Sequence, residues 1–224
     1  AATTGSSNSA FGYSALTSNT TGAQNTGIGR NALHDNSTAS NNVAVGYDAM
    51  NANTTGTENT AVGTNALRLN TTADDNTAIG YNALTANTTG ATNTAVGHSA
   101  LAANVTHTNN TAIGYSVLAY ATADGNTGVG DKVLQVSTTG SANTGIGQQA
   151  LRLNTTGSLN TALGSSALTN NTTASNNTAI GQACLDANTT GAQNTGVGQG
   201  ALGANTTAAY NTAVGYVAMA SNTT

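Results

Sequence analysis

The chain has no proline and no tryptophan, a single cysteine, and charge on only 5% of its 224 residues; aromatic residues make up 4%. Each shortage excludes something. The basic residues are just Arg30, Arg68, Lys132 and Arg152, scattered among eight acids, and the formal net charge is -4. That leaves no basic footprint for a phosphate backbone or an anionic lipid surface, so nucleic acid is excluded as a partner. No apolar run approaches the roughly 20 residues of a membrane-spanning helix, so this segment is not expected to insert into a bilayer. Neither an initiator methionine nor a signal peptide is present, and the chain reads as a mature product or as a window of a longer one.

The same shortages bear on catalysis. A soluble enzyme of this size ordinarily carries charge on about a quarter of its residues. His34, His98 and His107 fall at three unrelated places, and no two converge with a carboxylate at metal-ligand spacing. Asp74 and Asp75 are adjacent but not repeated. Cys184 permits no internal disulfide, and its position is filled elsewhere by small residues, which marks a packing side chain and not a nucleophile. No activated group with a positioned partner is evident, so the chain is read as a non-enzyme with no cofactor and no metal. Disorder is the weaker reading too, because disordered chains are rich in proline or charge and here aliphatic residues recur at fixed places.

What is present is a period. Asn8, Asn25, Asn42, Asn59, Asn76, Asn93, Asn110, Asn126, Asn143, Asn160, Asn177, Asn194 and Asn211 are each followed four residues later by Gly, and every step but one is seventeen residues. Counting from this Asn, the second residue is usually Thr and the third Ala or Gly; the fourth is apolar, from Phe11 through Val45 and Val62 to Val214. The fifth is Gly, the eighth small, the ninth Leu or Met, and the twelfth to fourteenth usually Asn-Thr-Thr. A β-branched residue before Gly suits a short strand ending in a turn. The recurrent Gly, Thr and Asn disfavour helix. No Asn-Gly dipeptide occurs, which removes the commonest two-residue hairpin turn and favours parallel stacking.

The expected fold is therefore all-β, a parallel β-solenoid or β-roll of about thirteen 17-residue coils, continuous over residues 1–224 with one irregular 16-residue coil at 110–125. One coil cannot bury enough to fold alone, so apolar rows such as Val45 over Val62 and Leu67 over Leu84 are expected to form the core. That core is thin, because the eighth residue is mostly Ala and the second mostly Thr. Lateral association through a shared apolar or Thr-lined face is expected, giving a homo-oligomer. The chain begins inside the pattern at Ala2-Thr3-Thr4-Gly5 and stops inside it at Asn222-Thr223-Thr224. Either a longer array continues beyond it, or open ends meet other subunits in an end-to-end fibre.

Two rows of Asn carry different signals. The first-position row, Asn8 to Asn211, is never followed two residues later by Ser or Thr, and it reads as structural, in a left-handed turn or a stacked amide ladder. The Asn-Thr-Thr row offers glycosylation acceptors at Asn19, Asn36, Asn53, Asn70, Asn87, Asn104, Asn154, Asn171, Asn188, Asn205 and Asn222, with a turn or ladder as the alternative. Val105 replaces the middle Thr yet keeps the acceptor pattern, whereas Ser137 loses the Asn and keeps both Thr. Tyr13, Tyr47, Tyr81, Tyr115 and Tyr216 follow the Gly; they could stack on sugars or simply cover the edge of a turn.

The stretch Asn76 to Leu84, Asn-Thr-Ala-Ile-Gly-Tyr-Asn-Ala-Leu, resembles the head repeats of YadA-type trimeric autotransporter adhesins, with related repeats in tail-fibre-like phage proteins. The resemblance spans essentially the whole chain on a short motif. It implies a left-handed parallel β-roll, three associated chains, and display outside the cell for adhesion to a glycan or host-surface ligand. The usual head repeat of that family is shorter and has an apolar residue where this chain has Thr after the Asn. The function expected is an extracellular structural or adhesive fibre or appendage segment. The alternative is an ice-binding solenoid that uses its Thr rows, with Thr20, Thr54 and Thr71 as raw material.

Overall fold

The computed structural model describes residues 4–223, so Ala2, Thr3 and Thr224 of the terminal patterns lie outside the described residues. The chain is all-β, with no helix among these residues. It divides into two compact units, Ala1–Asn110 and Thr111–Thr224, and the division falls at the start of the irregular coil. The first unit holds β1 (Ser9–Phe11), β2 (Thr26–Ile28), β3 (Val43–Val45), β4 (Thr60–Val62), β5 (Thr77–Ile79) and β6 (Thr94–Val96). The second holds β7 (Thr111–Ile113), β8 (Thr127–Val129), β9 (Thr144–Ile146), β10 (Thr161–Leu163), β11 (Thr178–Ile180), β12 (Thr195–Val197) and β13 (Thr212–Val214).

Within each unit successive strands pair in parallel and in order, each residue beside the one seventeen further on, as Thr60 with Thr77 and Val62 with Ile79. A solenoid encodes this register directly, since the period sets the offset. The short coil keeps it: Thr111 pairs with Thr127 and Ile113 with Val129, so the missing residue is absorbed in the turn and not in the ladder. Outside the strands the stacking continues by backbone hydrogen bonds, such as Leu33 N to Ala49 O at 3.1 Å and Asp35 N to Asn51 O at 2.9 Å.

The strand alternates in the ordinary way, and its middle residue alone faces inward. Ala61 and Ala78 are fully buried, while Thr60 and Thr77 are half-buried and Ile79 is exposed. This corrects one expectation. The row of Val45 over Val62 runs along the outside, whereas Leu67 over Leu84 does lie in the core, together with the eighth-position Ala66 and Ala83. The narrow interior explains the choice: opposite a Leu from the returning chain there is room for only a Cβ or less.

That fit is sharp enough to be visible residue by residue. Where the eighth residue is larger than Ala, the third residue one coil on is Gly. A Cβ added to Gly128 would stand 2.5 Å from Val117 Cγ1, one on Gly145 2.6 Å from Val133 Cγ1, and one on Gly196 2.5 Å from Cys184 Sγ. Cys184 is thus a small hydrophobe filling the space that Gly196 leaves.

The turn after each strand needs its Gly. Gly46 has φ +142, and a Cβ there would meet Gly63 O at 2.5 Å, so conformation and close stacking both bar a side chain. Four residues later the buried Leu or Met itself adopts a left-handed conformation, as Leu67 at φ 52 and Leu84 at φ 52 do. This costs about 1 kcal/mol or more per residue, and it is offset by the roughly 1.5 to 3 kcal/mol gained when a Leu side chain is buried.

Candidate functional site

The first-position Asn row is an interior ladder. From Asn25 to Asn194 every member is buried, while Asn8 and Asn211 in the outermost coils are half-buried. Within each unit the side-chain Oδ1 accepts the backbone N–H of the Asn one coil on: Asn59 N to Asn42 Oδ1 is 3.0 Å, Asn76 N to Asn59 Oδ1 is 2.9 Å, and Asn194 N to Asn177 Oδ1 is 2.9 Å. A buried N–H at the strand entrance would otherwise be orphaned. None of these Asn has positive φ; the left-handed residue is the one before it, such as Glu58 at φ 60 or Asn176 at φ 61. Of the two structural readings, the ladder holds and the left-handed turn does not.

The Asn-Thr-Thr row, read as displayed, is also inside. Asn36, Asn53, Asn70, Asn87, Asn104, Asn154, Asn171, Asn188 and Asn205 are fully buried, Asn19 nearly so, and only Asn222 is half-buried. Along the regular runs one Nδ2 hydrogen goes to the Oδ1 one coil earlier, as in Asn70 to Asn53 at 2.8 Å and Asn171 to Asn154 at 2.7 Å; the other goes to the carbonyl three residues on, as in Asn70 to Ala73 at 3.0 Å. A glycan is attached at Nδ2, and along the regular runs both of its hydrogens are engaged, while Asn19, Asn154 and Asn222 each engage one. The acceptor reading gives way to a second ladder, for the reason that stacking supplies each amide with partners above and beside it.

The two rows converge on one atom per coil. Ala73 O accepts from Asn59 at 2.8 Å and from Asn70 at 3.0 Å; Gly157 O accepts from Asn143 and Asn154, both at 2.8 Å. Both lone pairs of that carbonyl are used, which locks the corner of the coil. Ser137 preserves half of this arrangement by donating to Gly140 O at 3.3 Å, where Asn126 also donates at 3.0 Å. The irregular coil carries Ala121 at the row position, and Asn104 Oδ1 is buried without a hydrogen-bond partner.

The Thr rows also divide. Thirteenth-position hydroxyls are spent on the backbone: Thr20 Oγ1 donates to Ser37 O at 2.9 Å, Thr54 to Thr71 O at 2.9 Å and Thr71 to Thr88 O at 3.1 Å. The strand Thr residues, Thr60, Thr77 and Thr94 among them, make no hydrogen bond through Oγ1, so these hydroxyls look out to solvent. Beside each stands the fourth-position aliphatic, with exposures such as 41% for Ile28, 38% for Ile79 and 44% for Leu163. The strand face is therefore two residues wide, hydroxyl beside aliphatic, and no residue at either position is charged. Sequence reasoning missed this face because it took the aliphatic row for core.

The Tyr row is exposed, with a neighbour against most of its rings. Arg30 lies over the rings of both Tyr13, at 5.8 Å, and Tyr47, at 5.6 Å; Tyr81 and His98 stack at 5.1 Å; and Lys132 sits 6.0 Å from the centre of Tyr115. One face of each of these rings is thus engaged one coil away, while exposure still runs from 45% at Tyr47 to 78% at Tyr216. Burial pushes the Cys184 thiol up to about 11, which leaves it protonated and unreactive, and raises the Asp186 carboxyl above its ordinary range. Among the described residues there is no pocket and no group of three or more His, Cys, Asp or Glu able to hold a metal ion, and no helix is long and apolar enough to cross a membrane. No family model matches the chain, and neither a curated protein nor a solved structure matches it.

Proposed function

We propose that this chain is a non-enzymatic extracellular structural and adhesive segment, a length of fibre or surface appendage that meets its target through the strand face. The observation that carries this reading is the uncharged outward pairing of free Thr hydroxyls with exposed aliphatics, repeated on strand after strand. Both amide ladders are occupied internally, and of the two repeated Thr rows that reach solvent, the strand row and the exposed fourteenth-position row, only the strand row stands beside aliphatics. The likeness of the Asn76 to Leu84 motif to YadA-type head repeats supports external display. The competing use of the same face, lateral packing against copies of the chain, would draw on the aliphatic stripe alone and would bury the hydroxyls beside it.

The test places charge on the face. The double variant Thr77→Lys, Thr94→Lys should keep the wild-type circular dichroism spectrum, because both side chains point outward. It should lose adsorption to solids (ice, cellulose, chitin and silica) or self-association in sedimentation velocity, whichever the wild type shows. A wild type that is monomeric and adsorbs to none of these would contradict the reading.

A further inference from the structure

We propose that the solid this face recognises is ice; the inference rests on the strand face being the contact surface. Three features point to a partner that is itself a lattice of hydrogen-bonding groups. The first is the division of the Thr rows: thirteenth-position hydroxyls are satisfied internally, as Thr54 Oγ1 is by Thr71 O at 2.9 Å, while the strand hydroxyls, such as that of Thr77, and the exposed fourteenth-position ones, such as that of Thr72, make no such bond, and only the strand row has aliphatics beside it. Their partners must come from outside, and water is the partner always present.

The second is two-dimensional order. Successive coils repeat the hydroxyl at about 4.8 Å along the stack, and within a strand the Thr and aliphatic positions are separated by roughly 6.6 Å. Waters held on the hydroxyl row inherit its spacing along the stack, and the aliphatic row beside it sets the width of the ordered strip. A dissolved ligand would gain nothing from a repeat in two directions, whereas a crystal face gains from every added strand.

The third is what the face lacks and what holds it. It carries no charge to keep liquid-like hydration in place, and its aliphatics order neighbouring water without offering it hydrogen bonds. Thr, Ile and Val are stiff at χ1, and the buried ladders fix the backbone behind them, so the array is organised before it binds.

A second copy of the chain fits less well. A strip two side chains wide and about 10 Å across offers about 300 Å² per unit, short of the about 800 Å² per partner of an ordinary stable interface. Dry packing would also shut in hydroxyls that have no partner of their own.

The experiment is ice-affinity partitioning of the full chain, in which a polycrystal grows slowly from a dilute solution, with sedimentation velocity on the same sample. Wild type is expected to be enriched in the ice fraction. Thr77→Lys, Thr94→Lys should reduce that enrichment by about tenfold, and Thr77→Val, Thr94→Val, which keeps the shape and removes only hydroxyls, should reduce it less. The control Thr72→Lys, Thr89→Lys, on the exposed fourteenth-position row away from the strand face, should leave it unchanged. Exclusion of folded wild type from the ice overturns the proposal, and so does equal enrichment of the strand-face and control variants. If wild type is excluded from ice but the strand-face lysines abolish self-association or binding to another solid, the strand-face reading survives and ice does not; if they abolish nothing, both fall.

Discussion

Two sides of each coil invert the usual rule of burial. On the strand side Ile79 and Ile113 stand 38% and 40% exposed, while at the amide corner Asn70, Asn154 and Asn171 are fully buried. Hydropathy alone would have exchanged them. What decides is the supply of partners: a stacked amide finds a donor or acceptor one coil away at 2.7 to 3.2 Å, so its burial leaves no orphan, whereas the strand has only one inward place and gives it to Ala or Gly. In a solenoid the inside is defined by what repeats well, and Asn repeats as well as Leu does.

The largest expected effect breaks the polar side. Asn93 donates to Asn76 Oδ1 and His107 O and accepts from Asn110 N. Asn93→Ala should lower stability by about 3 kcal/mol in urea unfolding, since it strands buried groups. The matched truncation on the other side, Val96→Ala, should cost well under 1 kcal/mol because its side chain is partly solvated already. The reverse order would refute the inversion.

Next in size is the packing between the sides. Gly128→Ala should cost about 1 to 3 kcal/mol by overpacking against Val117. Adding Val117→Ala should restore most of it, and a double-mutant cycle with no coupling would remove the size-matching argument. Smaller, and of opposite sign, is Ser137→Asn, which completes the row beside Asn154 and should raise stability by about 1 kcal/mol in the same assay.

The smallest effect is electrostatic. Burial raises the Asp186 carboxyl above its ordinary 3.8, so the folded state holds this proton more tightly than the unfolded chain does. The stabilisation is full below the ordinary carboxylate value and is lost as pH rises through the raised one, so neutral pH is the unfavourable side. Asp186→Asn should therefore narrow the stability gap between acid and neutral pH, a change read by urea titrations at the two pH values.

Much of the fold was legible in the sequence. The seventeen-residue step and the β-branched residue before Gly gave away a parallel solenoid, its register and the Leu row as one of two expected core rows. The facing of the strand was not legible, because Val45 over Val62 and Leu67 over Leu84 look alike until the return path of the coil is known. Nor was the left-handed Leu, since nothing local favours φ near 52 for that residue; its stacked neighbours impose it. Asn-Thr-Thr reads as an acceptor triplet in one dimension and as a ladder rung only in three. The pairing of Gly128 with Val117, Gly145 with Val133 and Gly196 with Cys184 lay in the sequence at spacings of eleven or twelve residues, and could have revealed which row faces which.

The central claim, amides inside as load-sharing rungs and aliphatics outside, is tested most directly by hydrogen exchange of the Asn side-chain Nδ2 groups, followed by NMR in the native protein. Asn53, Asn70 and Asn87 should exchange orders of magnitude more slowly than the exposed Asn176, at rates set by opening of the coil. Exchange of all four at the same fast rate would contradict the ladder.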